Sequence, residues 1–231
     1  MITALFDGRL APLTYSIGFL NAPPGKVADA LTGFFTRVHH GGRATILNGA
    51  LEDNLLRLQP LVIGAQPRIL LAPTALDGWT ALFDGDAYGQ GVGEIASYMA
   101  ETMGVRGYFV SSVPPATRTG HWLGSRQFYM LGPERKLGTI RAVELIENSP
   151  GRWNFETGGQ VQPYEDFAAY RKRRRADRFT EQMLIDYAAA VGLHPWDETF
   201  YHNPSHLITN GAKAISAFTL PEARAKLGLD D

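Results

Sequence analysis

The chain has 231 residues, of which 45% are hydrophobic, and its 22 Lys and Arg nearly balance 23 Asp and Glu, which leaves a formal charge of −1. This length and composition suit a globular protein with a sizeable core, and the balanced charge argues against a strongly basic nucleic-acid binder. The absence of cysteine excludes disulfides, thiolate nucleophiles and cysteine-ligated metal centres.

The hexapeptide TALFDG occurs at residues 3–8 and returns at residues 80–85. Each copy runs a short apolar stretch into Asp-Gly, a dipeptide typical of tight hairpin turns. The first copy therefore predicts a hairpin that turns at Asp7 and Gly8 and continues into TYSIGFL. Because the sequences that flank the two copies differ, we interpret the repeat as one local turn used twice and not as a duplicated domain.

Two helices are predicted between the first hairpin and residue 60. Apolar residues spaced by three and four, followed by the glycine pair at 41 and 42, predict the first of them. Its apolar face consists of Val27, Leu31, Phe34, Phe35 and Val38. The second helix is predicted from the spacing of Leu51, Leu55 and Leu58, and it is shorter because Pro60 limits it.

The middle of the chain predicts a second hairpin, a helix and a series of strands. The hairpin comprises residues 69–71 and 79–83 and turns at Asp77 and Gly78. GEIASYMAETMG has a helical apolar face and ends at Gly104, which suits a helix C-terminus. Strands are predicted in VRGYFVSSV, RQFYMLG, GTIRAVELI and RWNFETG, the last two joined by the turn sequence ENSPG.

The C-terminal third predicts mainly helix. After Pro163, one predicted helical face contains Tyr164, Phe167, Tyr170 and Arg174, and another contains Phe179, Met183, Tyr187 and Val191 at four-residue steps. Because the face shifts near residues 177–180, we expect a long kinked helical region, or two helices, that ends at Gly192. The tail from Tyr201 is expected to be irregular, apart from a short helix in PEARAKLG.

Hairpins outnumber regular strand–helix alternation in this order of elements. The pattern favours an α+β fold with a mainly antiparallel sheet that is flanked by helices. No clear linker divides the sequence, so we expect a single domain over residues 1–231. The alternative is a subdivision near residue 75, into an N-terminal β/α portion (1–75) and a sheet with C-terminal helices (76–231).

The glycines at 89, 91 and 93 form a loop that resembles a phosphate-binding turn at the start of a helix. Their G-x-G-x-G spacing departs from the dinucleotide fingerprint, which needs G-x-G-x-x-G. Three acids near the loop would also repel a phosphate: Asp84, Asp86 and Glu94. A surface loop is the simpler interpretation.

A second candidate site lies near His202, His206 and Glu198. The four-residue spacing of the histidines would suit a metal on one face of a helix. Asn203-Pro204 lies between them, however, and the residue before a proline is driven toward extended backbone. We therefore expect no metal and no cofactor. His202 with Glu198, or the loop from Gly89 to Gly93, is kept as the alternative site of an enzyme or small-ligand binder.

The most unusual stretch is RKRRRADR, residues 171–178, in which six of eight residues are basic. Exposed on a helical region, it could bind the acidic surface of another protein; ion pairs within the fold or a nucleic-acid partner are the alternatives. Two tryptophans in loops are candidate binding anchors. The candidate binding residues are Arg171, Arg173, Arg174, Arg175, Trp122 and Trp196.

From about Gly78 onward the sequence resembles a group of uncharacterised actinobacterial proteins. The resemblance rests on GWTALFDG, MGVRGYFVSSVP, TIRAVELIENSPGRWNFETGGQVQPYED and YRKRRRADRFTEQMLIDYAAAVGL, and it covers about two-thirds of the chain. No activity is assigned to that group, so the resemblance implies no catalytic residues. The stretch GRWNFETGGQVQPYE is also similar in general character to immunity proteins that neutralise toxins.

For no candidate motif is a catalytic role better supported than a purely structural role of the same residues. We therefore expect a non-catalytic, cytoplasmic protein-binding module, an immunity or accessory protein, whose partner presents an acidic surface. Nucleic acid is a less favoured partner. Neither a membrane helix nor a secretory signal is predicted, because no apolar run approaches the roughly 20 residues of a membrane span and no basic segment precedes an apolar one.

Overall fold

A computed structural model describes residues 4–39, 41–115, 123–134 and 139–230. Its centre is a nine-stranded sheet in the order β2-β10-β4-β5-β1-β6-β7-β8-β9, and every pairing between these strands is antiparallel. The strands are β1 (Ser16–Leu20), β2 (Gly42–Leu47), β3 (Leu61–Ile63), β4 (Arg68–Pro73), β5 (Thr80–Asp84), β6 (Gly107–Val113), β7 (Ser125–Leu131), β8 (Thr139–Ser149), β9 (Arg152–Gly159), β10 (Ser205–Asn210) and β11 (Ser216–Phe218). Strands β3 and β11 form a separate antiparallel pair.

Helices cover both faces of the sheet. They are α1 (Pro24–His39), α2 (Leu51–Leu56), α3 (Val92–Met103), α4 (Glu181–Ala190) and α5 (Leu220–Leu227), with short 3₁₀ turns at Leu5–Gly8, Ala169–Arg171, Arg175–Asp177 and Glu198–Phe200. The α+β architecture with a large antiparallel sheet is thus as predicted. No helix in these described ranges is long and apolar enough to cross a membrane.

Alternation along the strands divides the core into two layers. In β4, Leu70 packs into the larger cluster with α4 and α5, whereas Ile69 and Leu71 pack into the smaller cluster under α1 and α3. Helix α3 lies so close to β1 that a Cβ at Gly18 would come within 2.8 Å of the Ala96 Cβ. The close approach sets the depth at which α3 rests on the sheet.

The second hairpin forms as the sequence predicts. Strands β4 and β5 pair from Ile69 with Asp84 to Pro73 with Thr80, and Gly78 in the turn has φ +74°. The sheet also joins strands from both sides of residue 75, since the β4 and β5 strands are hydrogen-bonded neighbours.

The first copy of TALFDG does not form the predicted hairpin. Its described residues form the 3₁₀ turn Leu5–Gly8, in which Phe6 and Asp7 adopt φ values of 55° and 52°. In the second copy, residues 80–84 are the fully buried strand β5. The identical hexapeptide therefore takes two conformations, because β1 and β4 flank the second copy and provide its backbone hydrogen bonds.

The prediction of a long kinked C-terminal helix is wrong. Residues 164–179 contain two 3₁₀ turns, and Arg174 between them is extended, with φ −80° and ψ 119°. Like charges four residues apart, such as Arg171 with Arg175, destabilise a helix. Helix α4 begins only at Glu181, where the Thr180 side chain caps the Met183 amide.

The tail is more ordered than predicted. Residues 205–210 form β10, which lies inside the sheet between β2 and β4. The short C-terminal helix is confirmed as α5, which starts with a reciprocal capping box between Thr219 and Glu222 and ends at Gly228 with φ 64°.

Candidate functional site

The basic segment lies in a loop that contains two 3₁₀ turns and is fixed by buried hydrogen bonds. The Asp166 amide donates to the Tyr187 hydroxyl at 2.8 Å, and the hydroxyls of Tyr170 and Tyr187 lie 3.0 Å apart. Tyr170 also donates to Glu165 at 2.7 Å. Burial and these two hydroxyl contacts raise the pKa of Tyr170, so its phenol stays neutral. Buried side chains thereby fix the loop against α4 and β8.

The basic side chains of this loop, which the sequence predicts as binding residues, lie at the protein surface. All five residues from 171 to 175 are exposed. Arg174 forms an ion pair with Asp177 at 3.9 Å, and the two side chains are 79% and 48% exposed. Arg175 donates to the Trp153 carbonyl at 3.4 Å. Their positive charge is therefore mostly uncompensated by the described part of the fold.

Phe167 is a binding candidate that the sequence pattern did not reveal. The predicted helix placed it on an apolar face with Tyr170, yet its side chain is 48% exposed while Tyr170 is buried. The Arg171 guanidinium lies over the Phe167 ring at 5.2 Å. We refer to Phe167, Arg171, Arg173, Arg174 and Arg175 as the basic surface.

The structure describes one of the two candidate tryptophans. Trp122 lies outside the described residues. Trp196 is half-buried against the larger core cluster and borders a depression of about 200 Å³ together with His194 and Pro195. Its position fits a core satellite that keeps one edge in solvent.

Backbone amides of the glycine-rich loop bind the carboxylate of the nearby Asp86. The backbone amides of Tyr88 and Gln90 donate to Asp86 Oδ2 at 3.1 and 3.0 Å. Burial raises the pKa of Asp86, while the amides of Gln90, Tyr88, Gly89 and Gly91 act to lower it. Amides that could have cradled a phosphate therefore already bind Asp86.

Asp84 lies behind this loop, 4% exposed at the end of β5. Its two carboxylate oxygens accept from the Asp86 amide at 3.3 Å and from Gln66 Nε2 at 3.0 Å. Burial and the neighbouring Asp86 charge raise the pKa of Asp84 to about 7. Because a Cβ at Gly91 would overlap the Asp84 carboxylate, the glycine permits this close packing.

A cleft of about 860 Å³ opens in front of the loop. Asp86, Gln90 and Gly91 form one side of it, aromatic residues of α1 and α3 form another, and Lys213 stands at its border. The cleft therefore has mixed polar and aromatic walls.

His202 and His206 do not share a helix face. His206 lies in β10, half-buried with an unpartnered Nδ1, while His202 precedes the strand and donates its backbone N–H to Pro73. Pro204 between them cannot donate a backbone hydrogen bond. Across the described ranges, no three His, Asp or Glu side chains are grouped so that they could hold a metal ion.

Comparisons of the chain with protein-family models, with curated proteins and with solved structures found no match. The actinobacterial resemblance therefore stays an expectation.

Proposed function

We propose that this chain is a non-catalytic protein-binding module, an immunity or accessory protein, that docks an acidic partner through the basic surface. The observation that carries the proposal is the cluster of exposed arginines beside Phe167, presented by a loop whose base is buried. Arginine and aromatic side chains dominate the energetic centres of protein interfaces.

The backbone of the loop is also fixed before a partner binds. Tyr170 and Tyr187 fix its base through hydroxyl hydrogen bonds, so little backbone freedom would be lost when a partner docks. Partner carboxylates could pair in bidentate fashion with Arg173 and Arg174, since a guanidinium matches the carboxylate fork. An apolar side chain of the partner would cover Phe167.

A protein partner is favoured over nucleic acid. The whole chain carries a charge of −1, whereas nucleic-acid binders rely on broad positive potential. A local basic surface with an aromatic centre fits a protein epitope better than it fits a long phosphate backbone.

The test uses the charge-reversal variant Arg173→Glu/Arg174→Glu as bait in extracts of the source cell. The matched control is Arg37→Glu/Arg57→Glu, which makes the same charge change at exposed positions of α1 and just after α2. We expect one acidic protein to be retained by wild type and control and lost by the variant. That protein, once purified, should bind wild type with an affinity that falls as salt rises.

Two outcomes would overturn the proposal. One is an unchanged set of retained proteins for the variant. The other is retention of nucleic acid alone, lost on nuclease treatment and on charge reversal. Equal unfolding midpoints for the three baits would show that the comparison is between folded proteins.

A further inference from the structure

The smaller of two neighbouring clefts lies where α3 stops covering the sheet. Helix α3 packs on β1, β5, β6 and β7, while the sheet continues beyond it to β8 and β9. A cleft of about 420 Å³ lies between the exposed face of α3 and β7. Its volume is in the range of small-molecule sites.

One wall carries carboxylates on both sides of an aromatic ring. Glu94, Tyr98 and Glu101 follow one another by four and three residues on α3, so they share a helix face. Both carboxylates are exposed, and Tyr98 is 41% exposed. The Tyr98 ring is held in place by Phe34, at 4.7 Å between centroids.

The floor is aromatic and uncharged. Tyr129 of β7 packs on Phe109 of β6, with centroids 5.4 Å apart, and both line the cleft. The Tyr129 hydroxyl donates to Glu144. Burial and this hydrogen bond raise the pKa of Tyr129 well above its ordinary value, so the phenol stays neutral and Glu144 adds a third carboxylate beside the floor.

No Lys, Arg or His stands among the described residues that line this cleft. Aromatic faces attract ammonium groups through their quadrupoles, and a carboxylate adds a charge-assisted hydrogen bond. An anion would meet Glu94 and Glu101 without a counter-charge from the described lining.

We propose that this cleft binds a small organic cation, a primary amine carried on an aromatic or aliphatic body. The ammonium lies between Glu94 and Glu101, and the body of the ligand covers Tyr129 and Phe109. The site is independent of the basic surface, because Tyr129 faces α3 whereas Phe128, its neighbour in β7, packs into the cluster with Tyr170 on the other face of the sheet.

Calorimetric titration with three probes of similar shape tests the proposal. Phenethylamine is cationic at neutral pH, 2-phenylethanol is neutral and 3-phenylpropanoate is anionic. We expect saturable binding of phenethylamine, about tenfold weaker binding of the alcohol and none of the carboxylate. Amide chemical-shift changes on addition of phenethylamine should centre on Ser97 and Gln127, which line the cleft.

The variant Glu94→Gln/Glu101→Gln should lose about tenfold in affinity for phenethylamine. Its matched control is Asp29→Asn/Asp186→Asn, which removes two exposed carboxylates elsewhere and should bind as wild type does. Equal affinities for amine and alcohol, preference for the carboxylate, shifts away from α3 and β7, or an unchanged affinity in the variant would each overturn the proposal. Because both glutamates are exposed, we expect the variant to fold. An unfolding midpoint equal to that of wild type would verify this.

Discussion

Arg141 and Glu165 form a bidentate ion pair that solvent barely reaches. Arg141 Nε donates to Glu165 Oε1 at 2.8 Å and Nη2 donates to Oε2 at 2.6 Å, with side chains 2% and 1% exposed. Arg141 Nη1 donates to the carbonyls of Gly158 and Gly159, both at 3.0 Å. One guanidinium thus joins β8, the end of β9 and the loop that carries the basic surface.

Breaking this pair should destabilise the protein strongly. Burial raises the pKa of Glu165, but the Arg141 hydrogen bond and the other donors outweigh burial and hold it below its ordinary value. Glu165→Gln removes the carboxylate and leaves the Arg141 charge buried without compensation. We expect the free energy of unfolding in urea to fall by about 3–5 kcal/mol.

The matched control is Glu156→Gln in β9, because that side chain is exposed; its effect should stay within about 0.5 kcal/mol. The double variant Arg141→Met/Glu165→Gln should be more stable than Glu165→Gln alone, since it no longer buries an unpaired charge. A double variant that is less stable than Glu165→Gln would contradict this explanation.

Asp84 makes stability depend on pH in the opposite sense from an ion-paired carboxylate. Its pKa rises from 3.8 to about 7 on folding, so the folded state favours the protonated form. The stabilisation is complete below the unfolded pKa and is lost as the pH rises through the folded pKa.

Asp84→Asn stays neutral over this range. Its free energy of unfolding relative to wild type should therefore increase between about pH 5 and pH 8, by about 2–3 kcal/mol. The measurement is denaturant unfolding at both pH values, with Asp29→Asn at an exposed position of α1 as the control. A constant difference between Asp84→Asn and wild type at the two pH values would refute the assignment.

The sequence predicted elements whose pattern is local. Helix α1 follows from the spacing of Val27, Leu31 and Phe35, all buried, because helical periodicity is visible within one segment. The β4–β5 hairpin follows from Asp77-Gly78, since the turn and both strands are adjacent in the chain.

Features that depend on distant partners could not be predicted in this way. Strand β10 is short, follows Pro204, and becomes a strand because β2 and β4 flank it. The site has the same limit: the arginines were visible as a run, whereas Phe167 is exposed and Tyr170 is buried because of tertiary contacts such as the one between the Tyr170 and Tyr187 hydroxyls. The sequence placed the cleft residue Tyr129 in a predicted strand, but nothing in it indicated that this residue would line a cleft.

Backbone strain in the first TALFDG copy leads to a third prediction. Asp7 has φ 52°, a conformation that costs an L residue free energy, and its side chain is exposed. Asp7→Gly should raise the free energy of unfolding by about 0.5–1 kcal/mol. Asp77 also precedes a turn glycine and is exposed, but its φ is not positive. Asp77→Gly should therefore give no gain in thermal or urea unfolding, and equal gains at both positions would contradict the strain argument.

Strand β10 should be essential to the fold, although the sequence pattern predicts an irregular tail. Ile208 in β10 is fully buried under α1 in the smaller core cluster, so Ile208→Ala leaves a cavity inside the sheet's packing and should cost about 2–5 kcal/mol in urea unfolding. Ile46 in the neighbouring strand β2 is 60% exposed, and Ile46→Ala removes the same atoms from a position that solvent already reaches. Its cost should stay near 0.5 kcal/mol. Similar small losses for the two variants would mean that residues 205–210 are an appendage of the sheet, and the nine-stranded order would then have to be revised.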